Sequence, residues 1–250
     1  MSRSQNFLLP EIHQYALQRI QNKTKDETID EYRLMNNMLS SMPMCFNMFV
    51  PLKMAAERNE PFVTRIFQTI LREINLSVVI KRICRIEIEY VPIPRSDYLN
   101  DKTAFDAFVE FLTVEGKKGC IGIEVKYTDA LGRNNPKDMD RSYDIANQLE
   151  CFTLSGLRSI KSTCPQIVRN YLLLQQWKRI NYAQIPVPLV VALSVDKDVD
   201  YDISQFNNML NDSADKMKRL SWERIIEIIQ TEIPSYYKTW ISDFNKRYII

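Results

Sequence analysis

Apolar residues recur at helical spacing over residues 11–42, at Ile12, Tyr15, Leu17 and Ile20 and again at Ile29, Tyr32, Leu34 and Met38. The polar stretch NKTKDET divides them into two predicted helices. PFVTRIFQTILREIN predicts the clearest helix of the chain, with Pro61 suited to its first turn and Phe62, Ile66, Phe67, Ile70, Leu71 and Ile74 as its apolar stripe. The period then falls to two. RICRIEIEYV carries Ile83, Ile86, Ile88 and Tyr90 with charges between them. TAFDAFVEFLTV sends Phe105, Ala107, Val109 and Phe111 to one side, and KGCIGIEVKYT does the same with Ile121, Ile123, Val125 and Tyr127. The short EGKKG between the last two predicts a hairpin turn. Helical spacing returns over residues 139–182, broken at Thr163-Cys164-Pro165. VPLVVALSV is a continuous apolar run, as a buried strand requires, and SWERIIEIIQ and SYYKTWISDFN predict closing helices. There is no internal repeat and no low-complexity linker. The order predicts one mixed α/β domain over residues 1–250: a helical N-terminal extension (1–60), a core (61–195) and a helical C-terminal wrap (196–250).

Composition narrows the chemistry. At 45% hydrophobic and 26% charged residues, the chain can bury a sizeable core. The net charge is only +2, so affinity for nucleic acid must come from a local patch. Residues 141–182 offer a mild one, with six Lys/Arg against Asp144 and Glu150. The first residues lack the apolar core of a signal peptide, and the longest apolar run is too short to cross a bilayer. Five scattered cysteines without metal-ligand spacing read as buried thiols, and the cytoplasm is the expected compartment. His13 is the only histidine and reads as a helix-surface residue, so catalytic triads and His-ligated zinc find no support. Phosphate-cradling glycine loops are missing. DKDVDYD has calcium-loop spacing at Asp196, Asp198, Asp200 and Asp202, but Tyr201 and Asn207 stand where Gly and Glu are needed. It reads as a solvated loop.

What remains is carboxylate, lysine, arginine, tyrosine and serine chemistry, and one constellation offers it. Residues two apart on a strand share a face, so Glu124 and Lys126 of GCIGIEVKY point the same way. Across the EGKKG hairpin, any even pairing sum brings Asp106 to that face. One such register sets it opposite Lys126, another opposite Glu124, and an odd sum sends it to the other side. Two close carboxylates repel unless a cation lies between them, and oxygen donors select Mg²⁺ or Mn²⁺. A neighbouring lysine can stabilise a hydroxide or charge developing on a phosphate, so these are the parts for phosphodiester hydrolysis. The competing reading is a solvent-facing ion pair on an amphipathic strand.

FDAFVEF followed by GCIGIEVKY resembles the PD-(D/E)xK, or restriction-endonuclease-like, nuclease superfamily. LSSMPMCFNMF, IEIEY, YLNDKTAFDAFVEF and IGIEVKY resemble a bacterial restriction-endonuclease branch of it. The likeness runs from about residue 30 to 195 and is strongest over 83–128. One departure is Met42, where the SSQ pattern expects Gln. The resemblance implies a core of helix, three antiparallel strands, helix and strand, here with helical N- and C-terminal additions. It implies metal ligation by Asp106, Glu124 and the Val125 backbone carbonyl, with Lys126 acting on the nucleophile. Many members add an upstream acid, for which Glu89, Glu87 and Glu73 are candidates. Some place a Gln in a helix before the fourth strand, and here Gln166 and Arg169 share one helical face as candidate DNA contacts. The implied activity is metal-dependent cleavage of DNA, of restriction or defence type, by a protein compatible with a homodimer. The alternatives are a noncatalytic nucleic-acid-binding module on the same fold and a structural domain.

Overall fold

The structure, a computed structural model, describes residues 5–128 and 139–249. The chain begins with α1 (Pro10–Gln21), α2 (Glu31–Asn36), α3 (Ser41–Glu57) and α4 (Pro61–Glu73). Three strands follow: β1 (Ile80–Tyr90), β2 (Phe105–Thr113) and β3 (Lys118–Val125). Next come α5 (Asp140–Leu149), α6 (Leu154–Ser159), α7 (Pro165–Ile180), β4 (Ile185–Ala192) and α8 (Lys197–Asn208). A short β5 (Lys218–Ser221) leads into α9 (Trp222–Glu232) and α10 (Lys238–Tyr248).

Alternation builds the layers. Ala107, Val109 and Phe111 of β2 share a face with Ile121, Ile123 and Val125 of β3, and this face packs against α1, α3, α4, α9 and α10. Phe108, Cys120, Val190 and Ala192 lie on the opposite face under α5, α7 and α8. The sheet runs β1-β2-β3-β4-β5, antiparallel through β3 and parallel from β3 to β5. The expected core order is therefore present as α4, β1–β3, α5–α7 and β4. The crossovers to β4 and β5 advance in one direction over the same face, so they share one hand.

The hairpin turns at Gly116, whose φ of +78° suits a residue without Cβ. Leu112 pairs with Lys118 and Ala107 with Ile123, which is an even register. Carried one residue further, it sets Asp106 opposite Glu124. On the other side of β2, Ile88 pairs with Ala107 and Tyr90 with Phe105, so Glu89 falls opposite Asp106.

Four features differ from the sequence pattern. DKDVDYD is not a loop: Asp196 accepts from the Val199 N–H as an N-cap, and the following acids occupy the first turn of α8, where the helix dipole favours them. The four-residue β5 is too short to show alternation. Cys84 is exposed, so burial of the thiols is not general. Most of α3 gave no periodic signal because it is buried almost all round, which removes the polar side that a helical period needs.

That helix is fastened by its own irregularity. Pro51 has no N–H and so leaves the carbonyl of Asn47, four residues earlier, without its helical donor. Trp240 Nε1 of α10 donates to that carbonyl at 2.8 Å. The Asn47 amide group donates to Asn6 O at 2.7 Å and to the Tyr248 hydroxyl at 2.8 Å, while its oxygen accepts from Leu8 N at 2.8 Å. Both ends of the chain thus hang on one buried side chain. Asn47→Ala is expected to lower the unfolding free energy by about 3 kcal/mol, and Trp240→Phe by about 1–2 kcal/mol. Urea unfolding should show both as shifted midpoints at unchanged slope.

Candidate active site

The face of β3 that carries Gly122 also carries Glu124 and Lys126. Gly122 admits close packing there, since a Cβ would lie 2.7 Å from the Phe105 ring. Glu124 and Lys126 are each about 4% exposed, with Lys126 Nζ 2.8 Å from Glu124 Oε1. A solvent-facing pair is therefore excluded. Asp106, from β2, accepts from the Val125 N–H through Oδ2 at 2.6 Å. Asp106, Glu124 and Glu89 line one polar cavity of about 300 Å³, while Lys126 sits behind Glu124.

Glu89 reaches the cavity from β1, opposite Asp106. Its φ of +50° is left-handed, a strained conformation for a residue with a Cβ. Ile88 and Glu89 are both buried because both faces of the sheet are covered here, Ile88 by the apolar layer and Glu89 at the cavity. Arg19 of α1 holds this backbone by donating to Ile88 O at 2.7 Å and to Glu89 O at 3.4 Å. The Thr28 hydroxyl donates to Glu89 Oε2 at 3.4 Å. The other upstream candidates are engaged elsewhere, Glu87 with Lys53 at 3.3 Å and Glu73 with Arg224.

The start of α7 completes the wall. Gln166 Nε2 donates to Glu124 Oε1, and Gln166 Oε1 accepts from Lys126 Nζ at 3.0 Å, so one amide bridges the pair. Asn170, one turn further, donates to Glu124 Oε2. Sequence reasoning missed Asn170, although its i, i+4 spacing from Gln166 places both on one helical face. Arg169 also lines the cavity, bonded to Thr103 and 3.2 Å from Asp101. Met42 stands at the cavity wall where a Gln was expected. His13 does not line it and stacks on Phe7 with ring centroids 5.3 Å apart.

A family model of the PD-(D/E)XK nuclease superfamily matches residues 1–250. The chain belongs to that superfamily. No curated protein and no solved structure matched it. PD-(D/E)XK nucleases act on nucleic acid and generally use divalent metal ions. The donor set here fits such a cation chemically: three carboxylates, with no His or Cys among the described residues that line the cavity. The Val125 carbonyl leaves β3 on the same side as its N–H, toward Asp106. Among the described residues no three acidic, His or Cys side chains converge in ligand geometry. The reason is visible in the bonding. Glu124 is turned to Lys126, Gln166 and Asn170, and Asp106 to a backbone N–H. Among the described residues no helix is long and apolar enough to cross a membrane.

Burial and like charge set the protonation of this cluster. Burial, then Glu124, then Glu89 push the Asp106 carboxyl well above its ordinary range, against the pull of Lys126 and the Val125 N–H. Burial and then Glu124 raise Glu89 to about 7, opposed by Arg19. A carboxyl with a raised folded-state pKa costs nothing below its unfolded value, costs progressively more as pH rises from about 4.5 to 7, and then a constant amount. In EDTA, Glu89→Gln is therefore expected to stabilise the protein at pH 8 by up to about 3 kcal/mol, with the gain vanishing near pH 4.5. Thermal unfolding of both proteins across that pH range is the measurement.

Proposed function

We propose that the protein hydrolyses DNA phosphodiesters with Mg²⁺ or Mn²⁺, as an endonuclease of restriction or defence type. The observation that carries this reading is the row Glu89, Asp106, Glu124 across three adjacent strands, facing one cavity with Lys126 behind it. Asp106, Glu124, the Val125 carbonyl and Glu89 are the oxygen donors for the metal. When bound, the metal polarises a phosphoryl oxygen and acidifies a water. Lys126, held by Gln166, keeps a positive charge beside Glu124 and orients the attacking water. Gln166 and Arg169, at the cavity wall, contact the DNA backbone. DNA and the restriction type come from the resemblance of FDAFVEF and GCIGIEVKY, which also accommodates a homodimer and a cytoplasmic location.

One observation favours a second reading, a noncatalytic nucleic-acid-binding module: Glu124 is fully engaged by protein donors. Closed circular and linear DNA incubated with the protein, with and without Mg²⁺ or Mn²⁺, separates the two. Metal-dependent cleavage of closed circles is the expected result, and binding without cleavage would select the module. Glu124→Ala and Lys126→Ala are each expected to slow cleavage at least about a hundredfold while remaining folded. Unchanged rates would remove these residues from the mechanism.

Metal binding has its own readout. Mn²⁺ at a hundredfold excess over its dissociation constant is expected to stabilise the wild type by about 3 kcal/mol. Glu124→Gln should lose most of that shift in a thermal titration. Equal shifts in the two proteins would place the metal elsewhere.

A further inference from the structure

The cavity floor is acidic, but its rim is not. Arg33 of α2, Lys102 from the segment before β2 and Arg169 of α7 all line it, with the hydroxyls of Thr28, Ser41 and Thr103. Two helices also begin there. Ser41 and Met42 are the first residues of α3, and Gln166, Arg169 and Asn170 lie in the first two turns of α7. Helix starts present N–H groups and the positive end of the dipole, which favour anions. The cations differ in what holds them. Arg33 donates to Ser40 Oγ at 3.0 Å, and Arg169 is fixed by Asp101 and Thr103. Lys102 is exposed and has no hydrogen-bond or ion-pair partner among the described residues.

A strand of nucleic acid carries a charge at every phosphate. A divalent ion held on the carboxylate floor would offset the charge of Glu89, Asp106 and Glu124, and the phosphate beside the one hydrolysed would bring a further, uncompensated negative charge. It needs a counter-charge of its own. We propose that Lys102, flanked by Arg33 and Arg169, forms a phosphate-binding subsite that grips the backbone phosphate adjacent to the one hydrolysed. The inference rests on the nuclease reading for which phosphate is hydrolysed, and it adds a positioning residue and a minimum substrate. That substrate is a strand with a second phosphodiester beside the first. A lysine suits the task, being a point charge on a flexible stem that follows a phosphate without fixing its orientation.

The test is oligonucleotide binding followed by fluorescence anisotropy in Ca²⁺ over a NaCl series, for wild type, Lys102→Ala and Lys102→Arg. Each is also measured against oligonucleotides with one phosphate replaced by a neutral methylphosphonate. Lys102→Ala is expected to weaken binding about tenfold and to lower the log–log salt slope by about 0.9, with Lys102→Arg close to wild type. One methylphosphonate position, next to the cleaved bond, should weaken the wild type and leave Lys102→Ala unaffected. A wild-type dissociation constant and salt slope in Lys102→Ala would overturn the subsite, as would equal losses in both proteins at every position. Failure of the wild type to cleave, with the coupling intact, would overturn the hydrolytic reading alone. Failure of the wild type to bind DNA would overturn both.

Discussion

Gathering buried Glu124 and Glu89 and half-buried Asp106 at one end of an apolar sheet opposes folding, because each charge loses hydration and each repels the other two. Much of the surrounding structure offsets that cost. Lys126 supplies an opposite charge at 2.8 Å, and the Val125 backbone supplies an N–H. The start of α7 supplies two side-chain amides to Glu124, and its entry is set by a left-handed Cys164 followed by Pro165 at the first turn. What these donors leave unmet is met by the proton, which is why Asp106 and Glu89 hold theirs more tightly than exposed carboxyls do.

The same constraint ties the N-terminal helices to the site. The register sets Glu89 opposite Asp106, and its left-handed backbone is a strain that persists only where neighbours over-determine it. Those neighbours are Arg19 on α1 and Thr28 before α2. Arg19 is itself oriented by Glu27 at 2.9 Å. The helical elements ahead of the sheet therefore position an acid and also cover a core face. α3 likewise touches both cavity and core, since Ser41 and Met42 at its head line the cavity and its later residues pack in the apolar layer.

Asp106, Glu124 and Lys126 were legible because strand periodicity is simple: a period of two assigns faces without knowledge of the partner strand. The choice between two even registers was not, because it depends on the turn. There Thr113 N donates to Lys117 O at 2.9 Å, which sets Leu112 against Lys118. Glu89 could be proposed from its place in IEIEY, but its burial could not, since alternation assigns a face and not what covers it. Asn170 was hidden in RNYLLL, where a buried polar residue beside an apolar run looks like an ordinary helix position. The overlooked α8 had a readable signal after all. An Asp three residues before a Val, with further acids in the next turn, is a helix start, and the calcium-loop comparison drew attention away from it.

Charge balance accounts for why the cluster is built with three acids and one base. With every group ionised, three carboxylates and one ammonium leave two negative charges around one cavity. A monovalent cation leaves a residue of that charge, whereas a divalent one cancels it. The amides of Gln166 and Asn170 add donors without adding charge, so they can orient Glu124 and leave that sum untouched. The cations that would upset it, Arg33, Lys102 and Arg169, stand at the rim, where the next charge to arrive is a phosphate. The arrangement separates two electrostatic tasks along one axis: a floor that a divalent ion completes, and a rim that a polyanion completes.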